Sequence, residues 1–157
     1  HVRSRRQRQM CIRDSWWTEQ DETKFQALGK ALSAQYSKYE PVPGHFVNGD
    51  LTLGENIGDL GGLTVALKAY HISLEGKEAP VMDGFTGDQR VLLSWAQVWR
   101  SKYRDEVMKE QLATDPHSPP HYRVNGIVSS LPVFYTAFDV KEGDKLYIAP
   151  EKRVKIW

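Results

Sequence analysis

The stretch Leu53-Gly54-Glu55-Asn56-Ile57-Gly58-Asp59-Leu60-Gly61-Gly62-Leu63 decides how the rest of the chain is read. On a helix, Glu55 and Asp59 are four apart and share a face, which Gly62 and Ala66 extend. Between Asn56 and Tyr70 the only charges are Asp59 and Lys68, while Ile57, Leu60, Leu63, Val65 and Leu67 point several ways around the axis. A helix apolar on most sides is expected to be buried. Two like charges side by side in such a helix are costly unless a cation or a strong donor compensates them. A metal ion does so, with Glu55 as a direct ligand and Asp59 orienting a ligating histidine through its other ring nitrogen. Glycines 54, 58, 61 and 62 cost about 0.8–1 kcal/mol each against alanine in a helix interior, which makes sense if another element packs closely there. A second reading stands beside this one. Thr52-x-x-Glu55 is itself a capping box, which places Glu55 at a helix start with no metal involved, although it explains neither Asp59 nor the glycines.

Outward from this segment the pattern is mainly helical. Thr18 and Asp21 form a variant capping box ahead of Phe25, Leu28, Leu32 and Tyr36, which predicts an amphipathic helix from Thr18 to about Tyr39. Pro41, Pro43 and Gly44 end it, and Asn48-Gly49 between apolar flanks predicts a short hairpin-like excursion. The carboxylate helix then spans about Thr52 to Leu74, and Gly76 to Thr86 is loop. Thr86 and Gln89 cap a third helix carrying Leu92, Leu93, Ala96, Trp99 and Tyr103 on one face, with a continuation to about Ala113. Prolines 116, 119 and 120 predict an exposed or ligand-facing loop from Thr114 to Tyr122. An extended stretch over Val124–Val128, a short helix from Pro132 to Phe138 and a tail with a docked terminal Trp157 complete the expectation.

The 157 residues, 40% apolar and 26% charged, have the make-up of one globular domain or part of one. No run approaches the roughly 20 apolar residues of a bilayer span. The net charge of +1 misleads, because Arg3, Arg5, Arg6, Arg8 and Arg13 crowd the first fifteen residues; from Trp16 onward, 16 basic and 19 acidic residues leave −3. A nucleic-acid partner is therefore not expected, since only that arm argues for one. The only cysteine, Cys11, lies in the same arm, so any metal must be held by His, Asp or Glu. Residues 1–15 lack an amphipathic period, and Met10-Cys11-Ile12-Arg13-Asp14-Ser15 resembles translated sequencing-adapter read-through. They are expected to be a non-native arm, with the folded unit beginning at Trp16.

Several motifs together resemble the neprilysin and endothelin-converting-enzyme family of zinc metalloendopeptidases. They are Trp16-Trp17-Thr18; Val47-Asn48-Gly49 followed by Leu51-Thr52-Leu53-Gly54-Glu55-Asn56-Ile57 and Asp59-x-Gly61-Gly62; Trp95-Ala96-Gln97-Val98-Trp99; His117-Ser118-Pro119 with Tyr122-Arg123; and Pro150-Glu151-Lys152 ahead of Trp157. The resemblance covers nearly everything from residue 16 to 157. It implies a mainly α, thermolysin-like zinc peptidase catalytic domain, of which this chain is a C-terminal fragment, and peptide substrates in an extracytoplasmic setting. It also implies one zinc ion with Glu55 as the third protein ligand, Asp59 orienting a zinc-bound histidine, and His117 stabilising the oxyanion. Arg123 grips a substrate carbonyl in that reading, and Val98 and Trp99 wall the pocket for the side chain after the scissile bond. On pattern alone each has a plainer reading: His117 a solvated loop histidine, Arg123 a surface ion pair, Val98 and Trp99 core.

The sequence departs from the family pattern in two places. The His-Glu-x-x-His helix expected upstream of the double tryptophan is absent from these residues. His117 and His121 are four apart, but Ser118-Pro119-Pro120 between them cannot be helical and no glutamate follows His117. The two remaining zinc ligands and the catalytic base are therefore expected from a missing N-terminal portion of the same enzyme, and the chain alone is expected to be inactive. Val140 and Val154 stand where animal members carry cysteines, which resembles the bacterial branch. The competing class is a metal-free helical module that binds peptides in the same cleft.

Overall fold

The computed structural model describes residues 17–156. The proposed arm, Trp16 and the terminal Trp157 lie outside the described residues. Helix α1 spans Glu19–Tyr36, capped by the Thr18 side chain, which accepts from the Asp21 backbone N–H. Helix α2 spans Leu53–Ser73 and α3 spans Gly87–Val98, the latter opened by a full capping box between Thr86 and Gln89. Helices α4 (Asp105–Thr114), α5 (Pro120–Val128) and α6 (Pro132–Phe138) follow, and a 3-10 turn at Pro150–Lys152 closes the described chain. Among the described residues the only β-type pairings are two isolated bridges. The mainly helical class expected from the sequence is what the molecule shows.

Leu32 and Tyr36 of α1, Leu60, Leu63 and Leu67 of α2, Leu92 of α3, and Ile127 and Val128 of α5 form the buried core, joined by Val47, Leu131 and Val154. Helix α2 is central, packing against α1, α3 and α5. The tail is fastened by Tyr135, whose hydroxyl donates to the Ser129 carbonyl at 2.6 Å and accepts the Ile148 N–H at 2.9 Å. The Arg153 guanidinium lies over the same ring at 3.4 Å.

Four expectations are corrected. Asn48-Gly49 is not a hairpin tip: the nearby bridge joins Val42 to His45 around Gly44, at φ +77°. Gly49 instead packs so tightly on α1 that a Cβ there would overlap the Ser33 carbonyl oxygen. The third helix does not run on to Ala113; it stops at Val98, and α4 begins at Asp105. The intervening Arg100-Ser101-Lys102-Tyr103-Arg104 places three like charges at alternate positions, and Asp105 and Glu106 then favour a fresh N-terminus. The region of prolines 119 and 120 is neither exposed nor loop throughout: Ser118, Pro119 and Pro120 are buried, and α5 starts with Pro120 at its first position, where a missing N–H costs nothing. Val124–Val128 is consequently helical, not extended.

The fourth correction concerns α2. Its closed side buries Asn56, Asp59, Leu60, Gly61, Leu63 and Leu67, but its other side is open. Val65 and Ile72 are 63% and 68% exposed. Among the described residues, nothing beyond the helix itself lies within 4 Å of where a Cβ on Gly54, Gly58 or Gly62 would sit. The close-packed neighbour expected over those three glycines is not among the described residues.

Candidate functional site

Glu55 and Asp59 do not share one environment. Asp59 faces inward, its carboxylate clamped by Arg123 of α5 in a bidentate pair: Nε donates to Oδ2 at 2.6 Å and Nη2 to Oδ1 at 2.7 Å. Both side chains are nearly buried, at 9% and 12% exposure. Such a two-pronged, charge-assisted contact fixes orientation as well as distance. One face of the guanidinium stacks on Trp99, whose ring centroid is 3.8 Å from Arg123 Cζ, and the Trp95 indole N–H donates to the Arg123 carbonyl at 3.2 Å. The expectation of two buried like charges is thus wrong for Glu55, whose side chain is about half exposed.

Glu55 instead meets His117. The imidazole Nε2 lies 3.2 Å from Glu55 Oε2, and Nδ1 lies 2.7 Å from Asp115 Oδ1. Asp115 Oδ1 also accepts the His117 backbone N–H at 2.9 Å. These bonds from His117, the backbone one foremost, hold the Asp115 carboxyl below its ordinary range. Each ring nitrogen faces a carboxylate oxygen, so an imidazolium satisfies both and a neutral ring only one.

The capping-box alternative for Glu55 is not what the helix start uses: Thr52 is the N-cap residue but makes no side-chain cap bond. Its hydroxyl donates to the Asn48 carbonyl and accepts from Asn56 Nδ2, each at 3.0 Å. Val98 is 72% exposed and is not core, whereas Trp99 is half-buried beneath Arg123, with an indole N–H that meets no acceptor among the described residues. The structure therefore brings Glu55 to His117 and Asp59 to Arg123, which in turn stacks on Trp99. The sequence reading did not single out Asp115 and gave no role to Trp95 or to the buried pair Asn56 and Ser118, joined by a 2.8 Å bond from Ser118 Oγ to Asn56 Oδ1. The Asp-x-His spacing at 115–117 was the available signal for the first.

A catalytic zinc site takes three protein ligands. No group of three or more His, Cys, Asp or Glu side chains that could hold a metal occurs among the described residues. Asp59 is paired with Arg123, and the outward-facing groups are the half-exposed Glu55 carboxylate and His117, whose other ring nitrogen meets Asp115. These residues fit a contribution to a metal site, not a complete one.

The helical scaffold thus sets a glutamate on one helix against a histidine on a loop, with a buried aspartate–arginine pair one turn further along the same helix. The model of Peptidase family M13 matches residues 5–154, and the chain belongs to that family. It is 37% identical over 144 residues to the neutral endopeptidase of Lactococcus lactis, covering 92% of this chain and 21% of that protein. It is 35% identical over 148 residues to human neprilysin, covering 90% and 19%. The crystal structure of Mycobacterium tuberculosis zinc metalloprotease ZMP1 in complex with inhibitor superposes with a TM-score of 0.89 at 53% identity, over 91% of this chain and 23% of that one. The chain spans about a fifth of the length of the curated relatives it matches. The fold is that of the C-terminal part of this family's catalytic domain.

Proposed function

We propose that this chain supplies the carboxylate side of a zinc metalloendopeptidase site that hydrolyses oligopeptides, completed by an upstream portion of the same protein. The observation that carries the reading is the 3.2 Å approach of His117 Nε2 to Glu55 Oε2 above the Asp59–Arg123 pair. Glu55 is the one zinc ligand assigned to these residues, and two histidines and a glutamate base come from outside them. Zinc, when bound, supplies Lewis acidity for peptide hydrolysis. His117, braced through Nδ1 by Asp115, stabilises the oxyanion from Nε2, the nitrogen that faces Glu55 in this structure, a donor role worth about 3 kcal/mol in other enzymes. Arg123, fixed by Asp59, keeps its remaining guanidinium nitrogen for a substrate carbonyl, and Val98 and Trp99 border the side-chain pocket. The family resemblance supports an extracytoplasmic setting.

The open side of α2 supports the upstream partner. Glycines 54, 58 and 62 recur every four residues, with free space above each, beside exposed Val65 and Ile72. Glycine rows of this kind let a second helix approach closely.

The test is hydrolysis of a peptide by purified residues 16–157, alone and joined to the upstream portion. No zinc-dependent cleavage is expected from the first, and chelator-sensitive cleavage, abolished by Glu55→Gln, from the second. Zinc-dependent turnover by residues 16–157 alone, or full activity of Glu55→Gln in the joined protein, overturns the proposal.

A further inference from the structure

The loop that carries His117 has little backbone bonding of its own. Pro116, Pro119 and Pro120 lack an N–H, and the His117 N–H is spent locally on Asp115. What ties this loop to α2, besides the exposed Glu55–His117 contact, is a buried polar chain that neither the fold nor the proposed chemistry has yet explained. Ser118 is 1% exposed and Asn56 is fully buried. Ser118 Oγ donates to Asn56 Oδ1 at 2.8 Å, Asn56 Nδ2 donates to Thr52 Oγ1, and Thr52 Oγ1 donates to the Asn48 carbonyl. The direction of the chain is fixed by its end. A carbonyl can only accept, so the Thr52 hydroxyl must donate to it and accept from the Asn56 amide, which leaves the Asn56 oxygen for Ser118.

Asn56 and Ser118 are the direct chain neighbours of Glu55 and His117. Their bond therefore sets how the loop is placed on the helix at the point where the two site residues meet. We propose that Asn56 and Ser118 are positioning residues, whose buried hydrogen bond holds the His117 loop in register with the Glu55 turn of α2. A small, fully buried donor–acceptor pair suits this task, because leaving either partner unsatisfied costs more than the bond contributes when made, so the loop has one favourable placement. The Glu55–His117 contact is half exposed and cannot enforce position in this way. The catalytic consequence rests on the function proposed above, whereas the structural consequence does not.

The experiment uses the complete protein carrying this chain, with Ser118→Ala, Asn56→Leu and the double variant. Hydrogen exchange over residues 113–119 reads loop placement directly. Each single variant is expected to speed exchange there about tenfold, the effect of losing one such bond, while α1 and α3 keep their protection. The double variant is expected to be no faster than the singles, because both act on one contact. In peptide hydrolysis, kcat is expected to fall about tenfold with KM within about twofold, since substrate binding is not the step that misplaced His117 impairs. Unchanged loop exchange in Ser118→Ala overturns the proposal, as do additive effects in the double variant or a loss carried by KM alone. Should Asn56→Leu fail to fold, Ser118→Ala decides on its own. Absence of hydrolysis in the unsubstituted complete protein defeats the proposed function, and the exchange measurement then still decides the positioning claim.

Discussion

Asp59 and Glu55 lie one turn apart on the same helix, carry the same charge, and are treated in opposite ways. Asp59 is turned into the core and held through both oxygens by Arg123. Glu55 is left half exposed, its carboxylate 3.2 Å from the His117 ring. The difference teaches which carboxylate the fold requires and which it merely presents. A buried charge must be paired to be tolerated, so Asp59 and Arg123 are mutually obligatory and tie α2 to α5. A half-exposed carboxylate contributes little to stability and is free to take another partner.

The largest expected effect breaks this contrast at its buried end. Arg123→Ala leaves Asp59 uncompensated and is expected to cost about 3–5 kcal/mol in urea unfolding, also removing the cation stacked on Trp99. Glu55→Gln, one turn away, is expected to change stability by no more than about 0.5 kcal/mol. Equal losses from the two substitutions would erase the distinction between a carboxylate that the fold needs and one that it offers.

Those two fates were only partly legible in the sequence. Helix starts set by local chemistry were: Thr18 with Asp21 and Thr86 with Gln89 cap their helices as the spacing indicates. The four-residue spacing of Glu55 and Asp59 established a helix but not which direction each side chain takes, because that is decided by partners far along the chain. Arg123 is 64 residues from Asp59, and Ser118 is 62 from Asn56. Pro120 was misread because a proline signals both the end of one helix and the first position of the next. Asn48-Gly49 was misread because a turn dipeptide advertises backbone freedom, whereas Gly49 is there for lack of a side chain against Ser33. The open side of α2 was read as buried because apolar content alone does not say which sides of a helix the neighbouring chain covers.

A second prediction sharpens the contrast between the two sides of α2. With open space above Gly58, Gly58→Ala is expected to stabilise residues 16–157 by about 0.8–1 kcal/mol, the ordinary helix-propensity gain. In the complete protein the same substitution is expected to be destabilising by about 1–3 kcal/mol, the cost of overpacking, if an upstream helix lies against the glycine row. The measurement is a pair of denaturation curves for each form. A gain in both forms would mean that nothing packs closely there, and would remove the main structural support for the upstream partner.

The smallest expected effect concerns the exposed end of the contrast, where His117 is braced by Asp115. Hydrogen bonds from the His117 backbone N–H and then its ring hold the Asp115 carboxyl below the ordinary range. An acid whose folded value is depressed stabilises the folded state above its unfolded value, about 3.9 for Asp, and loses that contribution as pH falls through the lower folded value. The brace is therefore expected to be intact through neutral pH down to about pH 5 and to fail only below about pH 4. Asp115 is substantially exposed, so solvent screening keeps the effect on overall stability small. The sensitive readout is local: the exchange protection factor of the His117 amide should drop with acid below about pH 4, and in Asp115→Asn that amide should lose its acid step. Protection that is unchanged down to about pH 2, or an acid step that survives in Asp115→Asn, would show that a group other than the Asp115 carboxylate holds His117.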